Sequence, residues 1–282
     1  MNKNIAKTKH ILYNLIKSKY FLDVQTCNFN YSYGVFQQKK QAFSMHAHNL
    51  YELIFFVKGD AFHIIEDRKY QLSKYDLILI RPSKYHYIEI ESNNDYERYD
   101  ILFNADFFNF NEIKGFNNFS EVVNLSGNQI AKDIFSKLNY YNAKLSEKDF
   151  NSVAILLLKE LFYNLSTYNA PTEKEYSTLT PILSSALKYM NENLFTISGV
   201  NEIADKLYVT PSYLFRLFKQ ELNTTPKKYI TDKRLLHAQN MILLGKNPTV
   251  VASECGFNDY TAFYRSYLKF FGHSPSKEGI KN

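Results

Sequence analysis

VNEIADKLYVTPSYLFRLFKQEL, residues 200–222, and TVVASECGFNDYTAFYRSYLKFF, residues 249–271, are two imperfect copies of one pattern. Ala204 in the first copy matches Ala252 in the second, and five residues on Val209 matches Phe257. Arg216 then matches Arg265, after one extra residue in the second turn. Each copy reads as a helix-turn-helix. The small Ala lets two helices approach closely, and the apolar residue five on plugs the turn. Leu214, Leu217 and Phe218 fall on one helical face, as do Phe263 and Tyr267 in the second copy. Gly256 suits the left-handed position that ends the first helix of its copy. Pro211 is tolerated in the first turn of its helix, where a missing N–H costs little.

Between the copies, PKKYITDKRLLHAQNMILL has apolar positions at Tyr229, Ile230, Leu235, Ala238 and Ile242. It predicts a connecting helix opened by Pro226 and ended near Gly245. From Pro226 to Leu244 such a helix is roughly 28 Å long, which can set two reading helices about one DNA turn apart. The charge agrees with a polyanionic partner. Residues 177–282 hold 13 Lys/Arg against 8 Asp/Glu, whereas residues 1–176 are nearly balanced. Near the outward N-terminal end of each second helix stand Ser212, Phe215 and Arg216, and then Tyr260, Thr261, Tyr264 and Arg265. These are the expected base readers: Arg can bind guanine through two hydrogen bonds, and aromatic rings can touch thymine methyls. Lys219, Lys227, Lys228 and Lys269 are expected on phosphates.

These motifs resemble the DNA-binding domain of the AraC/XylS family of bacterial regulators. The resemblance rests on Ile203-Ala204, LFRLFK at 214–219, Thr225-Pro226 with Tyr229 and Arg234, ASECGF at 252–257 and FYRSYLKFFGHSP at 263–275. It covers about 180–275 and implies double-stranded DNA as partner, with RNA polymerase as a further one. Tyr208 departs from the family pattern, standing where Gly is usual, and so predicts a strained or remodelled first turn. The end of the chain departs too, with Pro275-Ser276-Lys277-Glu278-Gly279.

The N-terminal part has another texture. YSYGVF, LYELIFFV, AFHIIED, DLILI and HYIEIE are short aromatic and β-branched runs separated by turn signals, which predict an antiparallel sandwich or barrel over 29–108. Helical spacing returns at 129–141 and 147–168, and a short amphipathic helix is expected over 3–20. MHAHNLYELIFFVKG supplies His46, His48 and Glu52, and IRPSKYHY supplies His86. Imidazoles with a carboxylate suit Zn, Fe or Mn, so a cupin-type metalloenzyme is one reading. The other is the cupin-like sensor domain that resembles those preceding AraC-type DNA-binding domains, whose resemblance implies a metal-free barrel binding a small molecule or dimerising. On that reading the three histidines and Glu52 support or line an effector pocket without metal or cofactor, and Tyr51, Phe55, His63, Tyr85 and Tyr87 are further candidates. Lys74-Tyr75-Asp76 stands where that pattern usually has Gly-Asp.

The expected organisation is therefore α+β. A cupin-like antiparallel β-barrel with flanking helices spans 1–166, a linker 167–179, and an all-α domain with two helix-turn-helix units joined by a long helix 180–282. The helix at 147–168 carries more leucines than one buried stripe needs. Leu156, Leu157, Leu161 and Leu165 are the candidates for a homodimer interface, with packing within one chain as the alternative. Two widely spaced cysteines, no signal-peptide pattern and no long apolar run make a cytoplasmic regulator, with no membrane contact, the expectation. Two matched helix-turn-helix units favour a regulator over an enzyme.

Overall fold

The computed structural model describes residues 29–37, 41–42, 45–104, 107, 110–168, 174 and 176–278. The expected helix over 3–20, and Cys27, lie outside them. Among the described residues, ten strands form two five-stranded sheets, with order β1-β8-β3-β6-β9 and β10-β5-β4-β7-β2. The strands are β1 Phe29–Gln37, β2 Gln41–Ala42, β3 Tyr51–Lys58, β4 Ala61–Ile65, β5 Arg68–Gln71, β6 Asp76–Ile80, β7 His86–Ile90, β8 Asp95–Phe103, β9 Val122–Asn124 and β10 Ser177–Thr178. All named pairings are antiparallel. The two sheets do not close into one barrel, but the cupin-like α+β expectation holds.

Period-two alternation decides what each sheet covers. On β3, Ile54 and Phe56 join a core with Ala61 and Ile65 of β4, Ile78 and Ile80 of β6, and Ile88 and Ile90 of β7. This is the layer between the sheets. Leu53 and Phe55 of β3 face the other way, with Leu77, Leu79, Ile101 and Phe103. They meet helices α1 (Gln129–Asn142) and α2 (Glu147–Thr167), where Phe55 stacks on Phe135 at 4.2 Å. Both faces of β3 are thus buried, which explains its unbroken apolar run.

The packing shows what covers the leucines offered for a dimer interface. Leu157 and Leu161 are buried among Phe150, Ala154, Leu158 and Phe162 against the first sheet, and Leu165 packs on the same cluster. Only Leu156 is exposed. Leu157, Leu161 and Leu165 cover the sheet within one chain, because that sheet is buried on both faces and needs a wide apolar lid.

The second sheet has a different cover. Ile64 of β4, Tyr87 of β7 and Tyr85 just before it belong to one core with the C-terminal helices. Those helices are α3 (Pro181–Glu192), α4 (Val200–Lys206), α5 (Pro211–Leu222), α6 (Pro226–Leu243), α7 (Pro248–Glu254) and α8 (Tyr260–Phe271). The end of the expected linker is ordered into this arrangement: Ser177–Thr178 pairs with β5, Lys174 Nζ lies 2.8 Å from the fully buried Asp76 carboxylate, and Leu179 is buried.

The two helix-turn-helix units, α4–α5 and α7–α8, repeat the same local bonds. Val209 N–H donates to Ala204 O and Phe257 N–H to Ala252 O, each at 3.0 Å. Thr210 caps α5 and Asp259 caps α8 through their side-chain oxygens. The turns differ as expected. Gly256 is left-handed with φ 76°, and Tyr208 adopts φ 55° without being glycine. Tyr208 is 95% exposed, so no packing offsets its strain. A Cβ at Gly256 would meet Phe195 O at 2.3 Å. We expect Tyr208→Gly to stabilise the chain by about 0.5–1 kcal/mol, the left-handed penalty less the added unfolded-state entropy. Gly256→Ala should destabilise it by about 2–3 kcal/mol. Chemical denaturation of the two variants tests both signs.

Candidate nucleic-acid interface and the sensor interior

The candidate reading surface is built by what the helices bury. Leu214, Leu217, Phe218 and Leu222 of α5 and Phe263, Tyr267 and Phe271 of α8 enter the core. The opposite faces therefore look outward. Ser212, Phe215 and Arg216, and Tyr260, Thr261, Tyr264 and Arg265, are all exposed. The Arg216 guanidinium lies 5.1 Å from the Tyr213 ring centre. Lys219, Lys227 and Lys269 are exposed as well. Lys228 is exposed too, with its ammonium engaged by the buried Asp232 carboxylate one turn on. A phosphate would have to compete with that partner.

Arg234 of α6 fixes the two units to one another. Its Nε donates to Leu194 O at 2.8 Å, Nη2 to Ile197 O at 2.8 Å and Nη1 to Gly256 O at 2.7 Å. One guanidinium thereby holds both the loop entering α4 and the turn between α7 and α8. Glu202 finishes that entry, accepting from Ser198 N–H at 2.9 Å and Ser198 Oγ–H at 2.8 Å.

Between the sheets, the inward positions at one end are polar. Glu52 of β3, His63 of β4, His86 of β7 and Asp100 of β8 are buried, joined by His48 from the preceding loop. Arg98 of β8 lies 2.7 Å from the Asp100 carboxylate. The predicted quartet is brought together: His46, His48, Glu52 and His86 each offer one donor atom, all within 4.8 Å of one another. Burial pushes the Glu52 carboxyl up, but the His86 charge and the hydrogen bonds of His48 and His86 outweigh it and hold it well below the usual range. Burial lowers His86 while Glu52 raises it, and the balance is upward. Burial and the nearby His86 bring His63 down to about 3, and burial beside Glu52 lifts Asp100 to about 7. Of the other pocket candidates, only His63 faces this interior. Tyr51 and Phe55 pack toward the helical layer, and Tyr85 and Tyr87 toward the C-terminal domain.

That last contact is one the sequence did not reveal. Glu66, with φ 53° between β4 and β5, is buried and accepts from Tyr229 OH at 2.6 Å, from Lys233 Nζ at 2.8 Å and from Tyr85 N–H at 3.0 Å. Tyr85 stacks on Tyr229 with centroids 4.5 Å apart. Asn49 Nδ2 donates to Leu236 O at 2.9 Å and to Gln239 Oε1 at 2.8 Å. Partners so far apart in the chain leave no periodic signal to find.

A profile described as the AraC-like ligand binding domain matches residues 29–165, and a helix-turn-helix domain profile matches residues 203–278. The chain belongs to the AraC family. It is 30% identical over 122 residues to the raffinose operon transcriptional regulatory protein RafR of Pediococcus pentosaceus, a match covering 43% of this chain and 44% of that protein. It is 26% identical over 250 residues to the transcriptional activator RhaS of Yersinia pestis, covering 84% and 89%. Across the first three relatives the match spans 38% to 47% of their length. The crystal structure of ToxT from Vibrio cholerae is 13% identical with a TM-score of 0.37, covering 89% of this AraC-family chain and 96% of the other. Among the described residues no helix is long and apolar enough to cross a membrane.

Glu66 gives the domain contact a sign with pH. Burial raises its carboxyl, but the Lys233 charge and the hydrogen bonds lower it further, so it stays below the ordinary glutamate value. The contact's stabilisation is therefore in place above the ordinary glutamate range and is lost as pH falls through the lower value of Glu66 itself. Glu66→Gln should remove that acid step. At neutral pH it should cost up to about 3–5 kcal/mol by stranding the Lys233 ammonium. Acid titration followed by near-ultraviolet circular dichroism checks both.

Proposed function

We propose that this chain is a cytoplasmic transcription regulator, not an enzyme, that reads double-stranded DNA through α5 and α8 under control of the sandwich domain. The observation that carries the reading is the pair of matched units with outward-facing Arg216 and Arg265 on a basic domain. The connecting helix α6 has 18 residues, about 27 Å at the standard rise. That length suits two successive major grooves on one face of the duplex. Arg216 and Arg265 read guanine, and Ser212, Phe215, Tyr260, Thr261 and Tyr264 adjust the fit. Lys219, Lys227 and Lys269 contact phosphates. RNA polymerase is the further partner, and activation the outcome in keeping with relatives named activators.

A small molecule is the proposed effector, entering the polar interior near Glu52, His63 and Asp100. Its effect passes through the contact of β7 and Glu66 with α6. Residues 167–179 link the two domains. A homodimer through α2 would rest on Leu156, since its companions are buried. Light scattering at micromolar concentration, with and without DNA, settles the oligomeric state.

The decisive experiment is a binding selection on randomised DNA. Arg216→Ala should relax preference in one sub-site and Arg265→Ala in the other, each by about 1–3 kcal/mol. Lys219→Ala should weaken all sequences alike and flatten the salt dependence. If both Arg variants lose preference at the same base pairs, or neither loses any, the two-groove reading fails.

A further inference from the structure

Arg216 and Arg265 hold matching places in the two units, but what stands one turn before them differs. Three residues before Arg216 is Tyr213, and three residues before Arg265 is Ala262. We propose that Tyr213 is a positioning residue for Arg216, its ring holding the guanidinium toward the end of α5 that meets base edges, so that the first unit discriminates guanine more sharply than the second. The proposal rests on the reading of Arg216 and Arg265 as base readers, and adds to it an inequality between the two units.

The first ground is contact. The Arg216 guanidinium lies over the Tyr213 ring, 5.1 Å from its centre, inside the roughly 6 Å over which a ring face attracts a cation. Residues three apart on a helix are neighbours, and a long side chain leans toward the helix N-terminus. Arg216 therefore reaches back over Tyr213, toward the end by which a recognition helix meets base edges. Arg98 and Arg234 direct their donors into the protein, to Asp100 and to three backbone carbonyls. A guanidinium held by a ring face keeps its N–H donors for another partner, and guanine takes two of them.

The second ground is anchorage. Tyr213 N–H donates to the Thr210 cap oxygen at 3.2 Å, which fixes the residue in the first turn of α5. Tyr213 is half-buried, while Arg216 is exposed. A free Arg side chain samples many rotamers, and ordering it on binding costs affinity. A ring that orders it beforehand strengthens the complex with guanine and does nothing for a complex in which Arg216 finds no guanine. The gain therefore appears as base preference. The third ground is the contrast within the repeat. Ala262 offers only a methyl group, and Tyr260, at the start of α8, faces Phe263 and Tyr264 with ring centroids 5.8 Å and 6.3 Å apart. Among the described residues, Arg265 stands over no ring.

The test uses the full-length chain and duplexes carrying the site it selects from randomised DNA, with each guanine of the two sub-sites replaced in turn. Tyr213→Leu should lower the preference for guanine in the first sub-site by about 2- to 5-fold, the range of an exposed cation–π pair, and leave the second unchanged. Tyr213→Phe keeps the ring and should hold the wild-type preference. In an Arg216→Ala chain, Tyr213→Leu should change nothing further. The slope of affinity against salt should stay as it is, since no phosphate contact is removed. Ala262→Tyr should raise guanine preference in the second sub-site by a similar factor, and it decides the matter should Tyr213→Leu unfold: an unchanged second sub-site in that folded variant overturns the proposal. If Arg216→Ala removes the preference and folded Tyr213→Leu does not, the positioning role is overturned while the base-reader reading stands. If Tyr213→Phe loses as much as Tyr213→Leu, or the loss persists without Arg216, Tyr213 acts on DNA by itself and the proposal falls. If Arg216→Ala leaves the preference intact, the reading and the proposal fall together.

Discussion

The relative placement of the two helix-turn-helix units hangs on one guanidinium. Arg234 satisfies three backbone carbonyls that α3, the entry to α4 and the α7–α8 turn would otherwise leave half-buried without donors. A planar fork with donors in fixed directions can do this, and an ammonium cannot. Gly256 is required for the same reason: the Arg234 side chain lies 3.0 Å from where its Cβ would be. The connecting helix is therefore a bracket as well as a spacer, and the separation of the reading faces is a property of the folded domain.

The sandwich follows from a complementary constraint. Each sheet presents two apolar faces, and three layers must cover them. The facing sheets cover each other, α1 and α2 cover the first, and the DNA-binding domain covers the second. A surface that in an isolated sandwich would be exposed becomes an interface with a buried ion pair at its centre, between Glu66 and Lys233. The polar bonds there set orientation, while the apolar contacts supply the driving force.

Much of this was legible in the residues. The repeat Ala204/Ala252, Val209/Phe257 and Arg216/Arg265 placed both units, and the helix bounds agree with it within a residue or two. Tyr208 announced its left-handed turn by standing in a glycine position. The donor quartet could be named because His46, His48 and Glu52 are close in sequence, with His86 the outlier. What periodicity could not supply was the direction of each face. Tyr85 and Tyr87 read equally well as lining the interior or as packing outward. Leu157 and Leu161 could have met a second chain as well as a sheet, because an apolar stripe does not name its cover. Lys228 looked like a free cation until Asp232, one turn away on the same helix, turned out to be buried beside it.

Strand β7 has a consequence for signalling. Successive side chains on a strand point to opposite sides. His86 therefore enters the polar interior while Tyr85 and Tyr87, its immediate neighbours, lie against α5 and α6. The interior of the sensor and the DNA-binding helices are separated by the thickness of a single polypeptide. No relay of side chains is needed between them. Any ligand whose binding displaces the backbone at residue 86 displaces, in the same movement, the two rings on which the DNA-binding domain rests.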